Sequence, residues 1–274
     1  MSPRQGAEDM KRSVKTIILA AACLYLAACG LMFAFQRSLQ YFPDAAAMAT
    51  PGDGFATLSL QTADGENLVA WWAAPAAPAR PVILYLHGNG ANLTARLARF
   101  RGLAAAGYGL MAPSWRGYGG STGTPTEAGL MADARSAFAE LRRRAPGARV
   151  VIVGESLGTA VATKLAAETQ AAGLILDSSF SAAVDIAARG YPWLPVRLLM
   201  LDRFDAAAAA PEVTAPVLQL HCRDDPVTPL DLAETLGRAF PTPPSMTMVE
   251  SQCHVVPIGT FLPAVTAFAD TLSP

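Results

Sequence analysis

Charge is scarce in this sequence. Asp, Glu, Lys and Arg make up only 16% of its 274 residues, and the two signs nearly cancel to a formal net charge of −1. A nucleic-acid surface is therefore excluded, since no basic stripe is present. Residues 142–144, the one arginine cluster, stand just before Pro146 and read as the solvated last turn of a helix. Histidine and cysteine are few, at three and four, and show no metal-ligand spacing. No P-loop occurs, and Gly88-Asn89-Gly90 has Leu93 where a dinucleotide fingerprint needs its third glycine. Neither a metal nor a cofactor is expected. The chain also lacks an internal repeat.

Apolar residues, by contrast, form 52% of the chain. That length and composition can bury one large α/β domain or two small ones. Residues 16–35 carry no charge over twenty positions. As a helix they would span roughly 30 Å, a hydrocarbon thickness. Arg4, Lys11, Arg12 and Lys15 precede them and only Arg37 follows closely, so the N-terminus is expected in the cytoplasm. This reading divides the chain into a cytoplasmic tail (1–15), a transmembrane signal anchor (16–36) and a folded domain (37–274). The domain would then face the periplasm or other extracytoplasmic side of the inner membrane. Two rivals stay open: a lipoprotein lipidated at Cys29, after Leu26-Ala27-Ala28, and a cleaved secretion signal. The apolar run continuing through 30–35 favours the uncleaved anchor.

After a linker (36–51), residues 55–75 alternate as a hairpin around Ala63-Asp64-Gly65-Glu66. Apolar strands are predicted at 81–86, 109–112, 149–153, 173–177, 215–221 and 245–249. Helical patterns fall at 92–106, 125–144, after 157 and from Pro263. Strands separated by helices mean βαβ units and a mostly parallel central sheet flanked by helices, an α/β fold. Residues 178–213 form the one long insertion, too short for a full cap.

The chain's centre is 149–165. A β-branched strand runs into Gly154-Glu155-Ser156-Leu157-Gly158, and Leu157, Val161 and Leu165 then recur at helical spacing. The glycines permit a turn tight enough to hold a serine in strained geometry above a helix N-terminus, where developing negative charge is favoured. A serine hydroxyl needs a base, and the base needs a carboxylate to fix its tautomer. His87 opens a glycine-rich loop and reads as structural, while His221 lies inside a strand as a core histidine. His254, on a loop beyond the last strand, is the candidate base. Asp225 is the preferred acid, with Asp224 and Asp177 as rivals, because Ser, Asp, His is the order expected around this turn. Asp202 and Asp205 read as solvated or capping. The N–H groups of Leu157 and Asn89 are the candidate oxyanion donors.

These stretches, with Gln36 to Pro43, Arg116-Gly117-Tyr118-Gly119 and Asp225-Pro226-Val227, resemble the α/β-hydrolase-fold serine hydrolases. More narrowly, they resemble a membrane-anchored α/β-hydrolase-domain group that includes protein depalmitoylases and lysophospholipid hydrolases. The resemblance implies hydrolysis of carboxylic esters or thioesters through an acyl-serine. Small-molecule, acyl-lipid or acyl-protein substrates follow from it. Tyr118, Phe180 and Trp193 are candidate pocket residues. The family pattern usually has glycine at the positions of Cys222 and Cys253, and often Asn where Val255 stands. If the last two inner strands are neighbours, the cysteines could bridge the acid and base loops; two buried thiols are the alternative. A serine peptidase and a non-catalytic membrane-anchored binding protein remain rival functions.

Overall fold

The structure, a computed structural model, describes residues 3–272. Helix α1 (Pro3–Gln40) comes first, followed by the hairpin β1 (Ala56–Gln61) and β2 (Asn67–Ala73). Strand β3 (Val82–Leu86), helix α2 (Leu97–Ala105), strand β4 (Gly109–Pro113) and helix α3 (Glu127–Arg144) form the first crossovers. They lead to β5 (Val150–Glu155), α4 (Leu157–Glu168) and β6 (Gly173–Asp177). The insertion contributes three short helices, α5 (Ala183–Gly190), α6 (Val196–Leu199) and α7 (Ala206–Ala209). Strand β7 (Val217–Cys222), α8 (Leu230–Ala239), β8 (Ser245–Val249) and α9 (Ile258–Thr271) complete the chain.

The eight strands make one sheet in the order β1-β2-β4-β3-β5-β6-β7-β8. β1, β2 and β4 pair antiparallel, and every pairing from β4 through β3 to β8 is parallel. Strand period explains the two cores. Val82, Leu84, Leu86, Val150 and Ile152 point into one, under α3 and α4. Ile83, Tyr85, Val151 and Val153 point into the other, with Phe100 of α2 and Phe261 of α9. Inner strands β3–β6 are buried throughout, as strands covered on both faces must be, whereas the edge strands β1 and β8 are half-exposed.

Three elements differ from the sequence expectation. α1 does not stop at 36 but continues to Gln40, because no proline intervenes before Pro43, so the linker starts only at Tyr41. α9 starts at Ile258 and carries Pro263 inside it; burial of Phe261, Val265 and Ala269 along one face outweighs the lost backbone bond. α8, preceded by prolines at 226 and 229, is additional; Leu232, Ala233 and Leu236 seat it in the core. Residues 9–40 of α1 are long and apolar enough to cross a membrane, and side chains such as Leu24 (73% exposed) project from the domain.

Candidate active site

β5 delivers Ser156 to the carboxyl edge of the sheet with φ 49° and ψ −117°, a left-handed conformation that few non-glycine residues adopt. The flanking glycines are sterically required. A Cβ on Gly154 would stand 2.6 Å from the Gly158 carbonyl, and one on Gly158 would stand 2.1 Å from the Leu86 carbonyl. Only without side chains can α4 pack this closely on β5 and β3.

His254, on the loop after β8, places Nε2 2.8 Å from Ser156 Oγ. Its Nδ1 lies 2.9 and 3.0 Å from the two Asp225 oxygens. With Nδ1–H donating to the carboxylate, Nε2 is left to accept from the serine hydroxyl. Asp225 is buried and also accepts from Val227 N at 2.8 Å, Thr228 N at 2.9 Å and Thr228 Oγ1 at 2.8 Å. Burial opposes its ionisation, but these hydrogen bonds prevail and hold it below the usual carboxylate range. Asp224, the neighbouring rival, is exposed. His221 is buried, with Nε2 2.9 Å from the Thr228 carbonyl, so it braces the acid loop.

The other rival acid, Asp177, lies deeper. It takes Arg99 Nη1 at 2.7 Å and Val256 N at 3.2 Å. Arg99 also reaches the Val256 carbonyl, and Arg96 clamps Glu155 at 2.6 and 3.0 Å. Tyr85 donates to Glu155 at 2.5 Å and accepts from Arg99 at 2.9 Å. Burial pushes Asp177 up to about 6 despite Arg99. For Glu155, burial is overcome by Arg96 and Arg99, which hold it at about 2. This network underlies both the serine turn and the base loop. Sequence reasoning missed it; the available signal was an acidic residue ending an otherwise apolar buried strand, which demands a cation nearby.

Leu157 follows Ser156 directly and Asn89 lines the same cavity, and among the described residues no protein acceptor takes the N–H of either. The Asn89 side chain is engaged elsewhere: Nδ2 donates to the Gln40 carbonyl at 2.6 Å, and Oδ1 accepts from Phe42 N at 3.0 Å and Tyr118 Oη at 2.8 Å. His87 is buried, accepting from Trp115 N at 3.1 Å and facing the Gly88 carbonyl at 2.8 Å. Burial, with Arg96 nearby, lowers its pKa to about 3, so it stays neutral.

An apolar cavity of about 270 Å³ opens beside Ser156, Leu157 and Asn89. Phe180 lines it; Tyr118 and Trp193 do not. Tyr118 is fully buried beneath the loop that carries Asn89, its ring against His87. Trp193 is half-exposed on the outside of the insertion, its carbonyl accepting from Tyr25 Oη at 3.0 Å. Asp202 is not solvated but buried against Arg37, while Asp205 caps α7 through Ala208 N. Cys222 and Cys253 are bonded, with Cα atoms 5.5 Å apart, joining the end of β7 to the His254 loop.

Residues 81–199 match the family model described as the alpha/beta hydrolase fold. An uncharacterized protein of Mycobacterium tuberculosis is 34% identical over 225 residues, which cover 80% of each chain. The chain therefore belongs to the α/β-hydrolase family, and it is a hydrolase. Among its relatives, the lysophosphatidylserine lipase ABHD12 of Xenopus tropicalis is 32% identical over 195 residues, 64% of this chain and 50% of that one. The chain thus spans about half the length of the lysophosphatidylserine lipases it matches. In fold it resembles an esterase of Pyrococcus furiosus, with a TM-score of 0.70 and 19% identity over 85% of this chain and 98% of that one.

Proposed function

We propose that the protein is a serine hydrolase that cleaves carboxylic esters or thioesters of acyl-lipid type through an acyl-Ser156 intermediate. One observation carries this reading: the unbroken line of hydrogen bonds from Ser156 through His254 to Asp225, at 2.8 and 2.9 Å. Ser156 Oγ attacks the substrate carbonyl carbon as His254 Nε2 takes its proton. Asp225 keeps Nδ1 protonated and balances the imidazolium that forms. The tetrahedral oxyanion is received by the N–H groups of Leu157 and Asn89, each worth about 3 kcal/mol by analogy with other oxyanion holes. His254 then passes its proton to the leaving oxygen or sulfur, the carbonyl re-forms, and acyl-Ser156 remains. Water, deprotonated by His254, repeats the sequence and releases the acid.

The lysophosphatidylserine lipases among the relatives support an acyl-lipid substrate. The apolar lining of the cavity suits an acyl chain. α1 serves as a single-pass anchor in the inner membrane, with the hydrolase domain (37–274) on the extracytoplasmic side, because cations gather ahead of the span. The test is labelling with a fluorophosphonate probe. The wild-type chain is expected to react and Ser156→Ala not to react; a wild-type chain that stays unlabelled overturns the reading. An ester, thioester and amide panel then separates esterase from peptidase.

A further inference from the structure

We infer that the end of α1 is one wall of the acyl pocket and sets the chain length the enzyme accepts, an inference that rests on the serine-hydrolase reading. Met32, Phe33, Gln36, Leu39 and Gln40 line the cavity together with Ser156 and the insertion. Their spacing of one, three or four residues places them on a single helical face. A mere tether would need no fixed register against the domain, yet α1 has one. Gln36 Nε2 donates to the Leu199 carbonyl at 3.3 Å, and its Oε1 accepts from Leu201 N at 2.7 Å. Arg37 Nε reaches Asp202 Oδ2 at 2.9 Å, and Gln40 Nε2 donates to the Asp202 carbonyl at 2.8 Å. These four bonds fix both rotation and height of the helix against the insertion, more than 160 residues away in sequence. The Gln40 carbonyl is in turn held by Asn89 at 2.6 Å, so the same helix end abuts the oxyanion loop.

The wall is apolar where it faces the cavity, which suits hydrocarbon. An engineered dry cavity of about 150 Å³ accepts the six carbons of benzene, a ratio that gives this cavity of about 270 Å³ room for about ten. Beyond that length a chain must pass out alongside α1.

Two measurements on the full chain in detergent micelles test the inference. The first is kcat/KM for p-nitrophenyl esters from butanoyl to hexadecanoyl, with fluorophosphonate labelling of a separate aliquot reporting each protein's Ser156. Wild type is expected to peak near decanoyl. Phe33→Ala should move the peak longer and raise the tetradecanoyl-to-hexanoyl ratio about tenfold; Met32→Trp should lower it by a similar factor. The second uses only the wild-type chain: a fluorophosphonate with a decyl chain ending in a diazirine, photolysed after labelling. The expected crosslinks fall within residues 32–40 as well as the insertion. Labelled variants whose ratios stay within about twofold of wild type, or crosslinks confined to the insertion, overturn the inference and leave the serine-hydrolase reading intact. A wild-type chain that does not label removes that reading, and the inference falls with it.

Discussion

On the sheet rim that carries Ser156 and His254, Asp225 is buried and accepts hydrogen bonds from three backbone and side-chain donors besides His254. On the wall formed by α1 and the insertion, Phe33 is 44% exposed, and Leu198 on the neighbouring α6 is 82% exposed. The rim is tied to the sheet by buried hydrogen bonds and a buried ion network. The wall is held together by a few long-range polar contacts between α1 and the insertion. In the proposed function, chemistry that needs sub-ångström placement thus sits on the rigid part, and selection among substrates falls to the part that can be altered cheaply. Substitutions should accordingly strike rate and stability hard on the rim, and chiefly chain-length preference on the wall.

The sharpest break in that contrast comes from Asp225→Asn. It keeps the shape of the acid but lets His254 take the wrong tautomer, so kcat should fall about 10⁴-fold, roughly 5 kcal/mol of barrier. Ester turnover with saturating substrate measures it, and a loss below about tenfold would remove Asp225 from its proposed role.

Beneath the rim, Glu155→Gln leaves Arg96 buried without its carboxylate partner, at a cost of about 3–5 kcal/mol by the usual effect of breaking a buried pair. The pH dependence follows in sign. Glu155 is held at about 2 in the fold, below its unfolded value. It therefore contributes stability that is fully present above the ordinary carboxylate pKa and is lost as pH falls toward about 2. Asp177, pushed up to about 6, works the other way, contributing stability at acid pH that is lost as pH rises through about 6. Urea midpoints measured from pH 7 downward should show the gap between wild type and Glu155→Gln narrowing below the ordinary carboxylate pKa. Next in size is the Cys222–Cys253 bridge, which closes 31 residues. Replacing both cysteines by serine should cost about 3–4 kcal/mol by loop-closure entropy, read as a shift in the urea midpoint. Reductant should shift wild type alone.

The same division governs how much could be read from the sequence. Strands β3 to β7 announce themselves through contiguous apolar, often β-branched runs, and the serine turn through glycines whose absent side chains are a local necessity. Ser156, His254 and Asp225 stand at or just beyond strand ends, so topology alone brings them to one edge. The wall offers no such local mark. Nothing in the sequence said that Gln36 would meet Leu199 or that Arg37 would meet Asp202, because those contacts arise only once β6 and β7 have placed the insertion. Aromatic character misled for a related reason. Tyr118 and Trp193 were expected in the pocket, but a side chain's identity does not say which way it faces; one is under the Asn89 loop and the other outside the insertion. The Glu155 network escaped because its partners lie on α2, some sixty residues earlier.

The smallest effect tests the wall directly. Arg37 is about half-exposed while Asp202 is buried, so Arg37→Ala removes a partly screened ion pair and leaves one carboxylate less well satisfied. Such a loss is worth about 1 kcal/mol or less, and for a domain of this size should lower Tm by about 2–4 °C. Gln36 and Gln40 still hold α1, so the helix should loosen rather than detach. The effect should appear as a flattened chain-length profile, with butanoyl turnover reduced less than decanoyl turnover. High salt should imitate it in wild type, since an exposed pair is screened. If Arg37→Ala instead slowed every ester equally, α1 would be acting through the rim by way of Asn89, and the separation of the two regions would fail at that side chain.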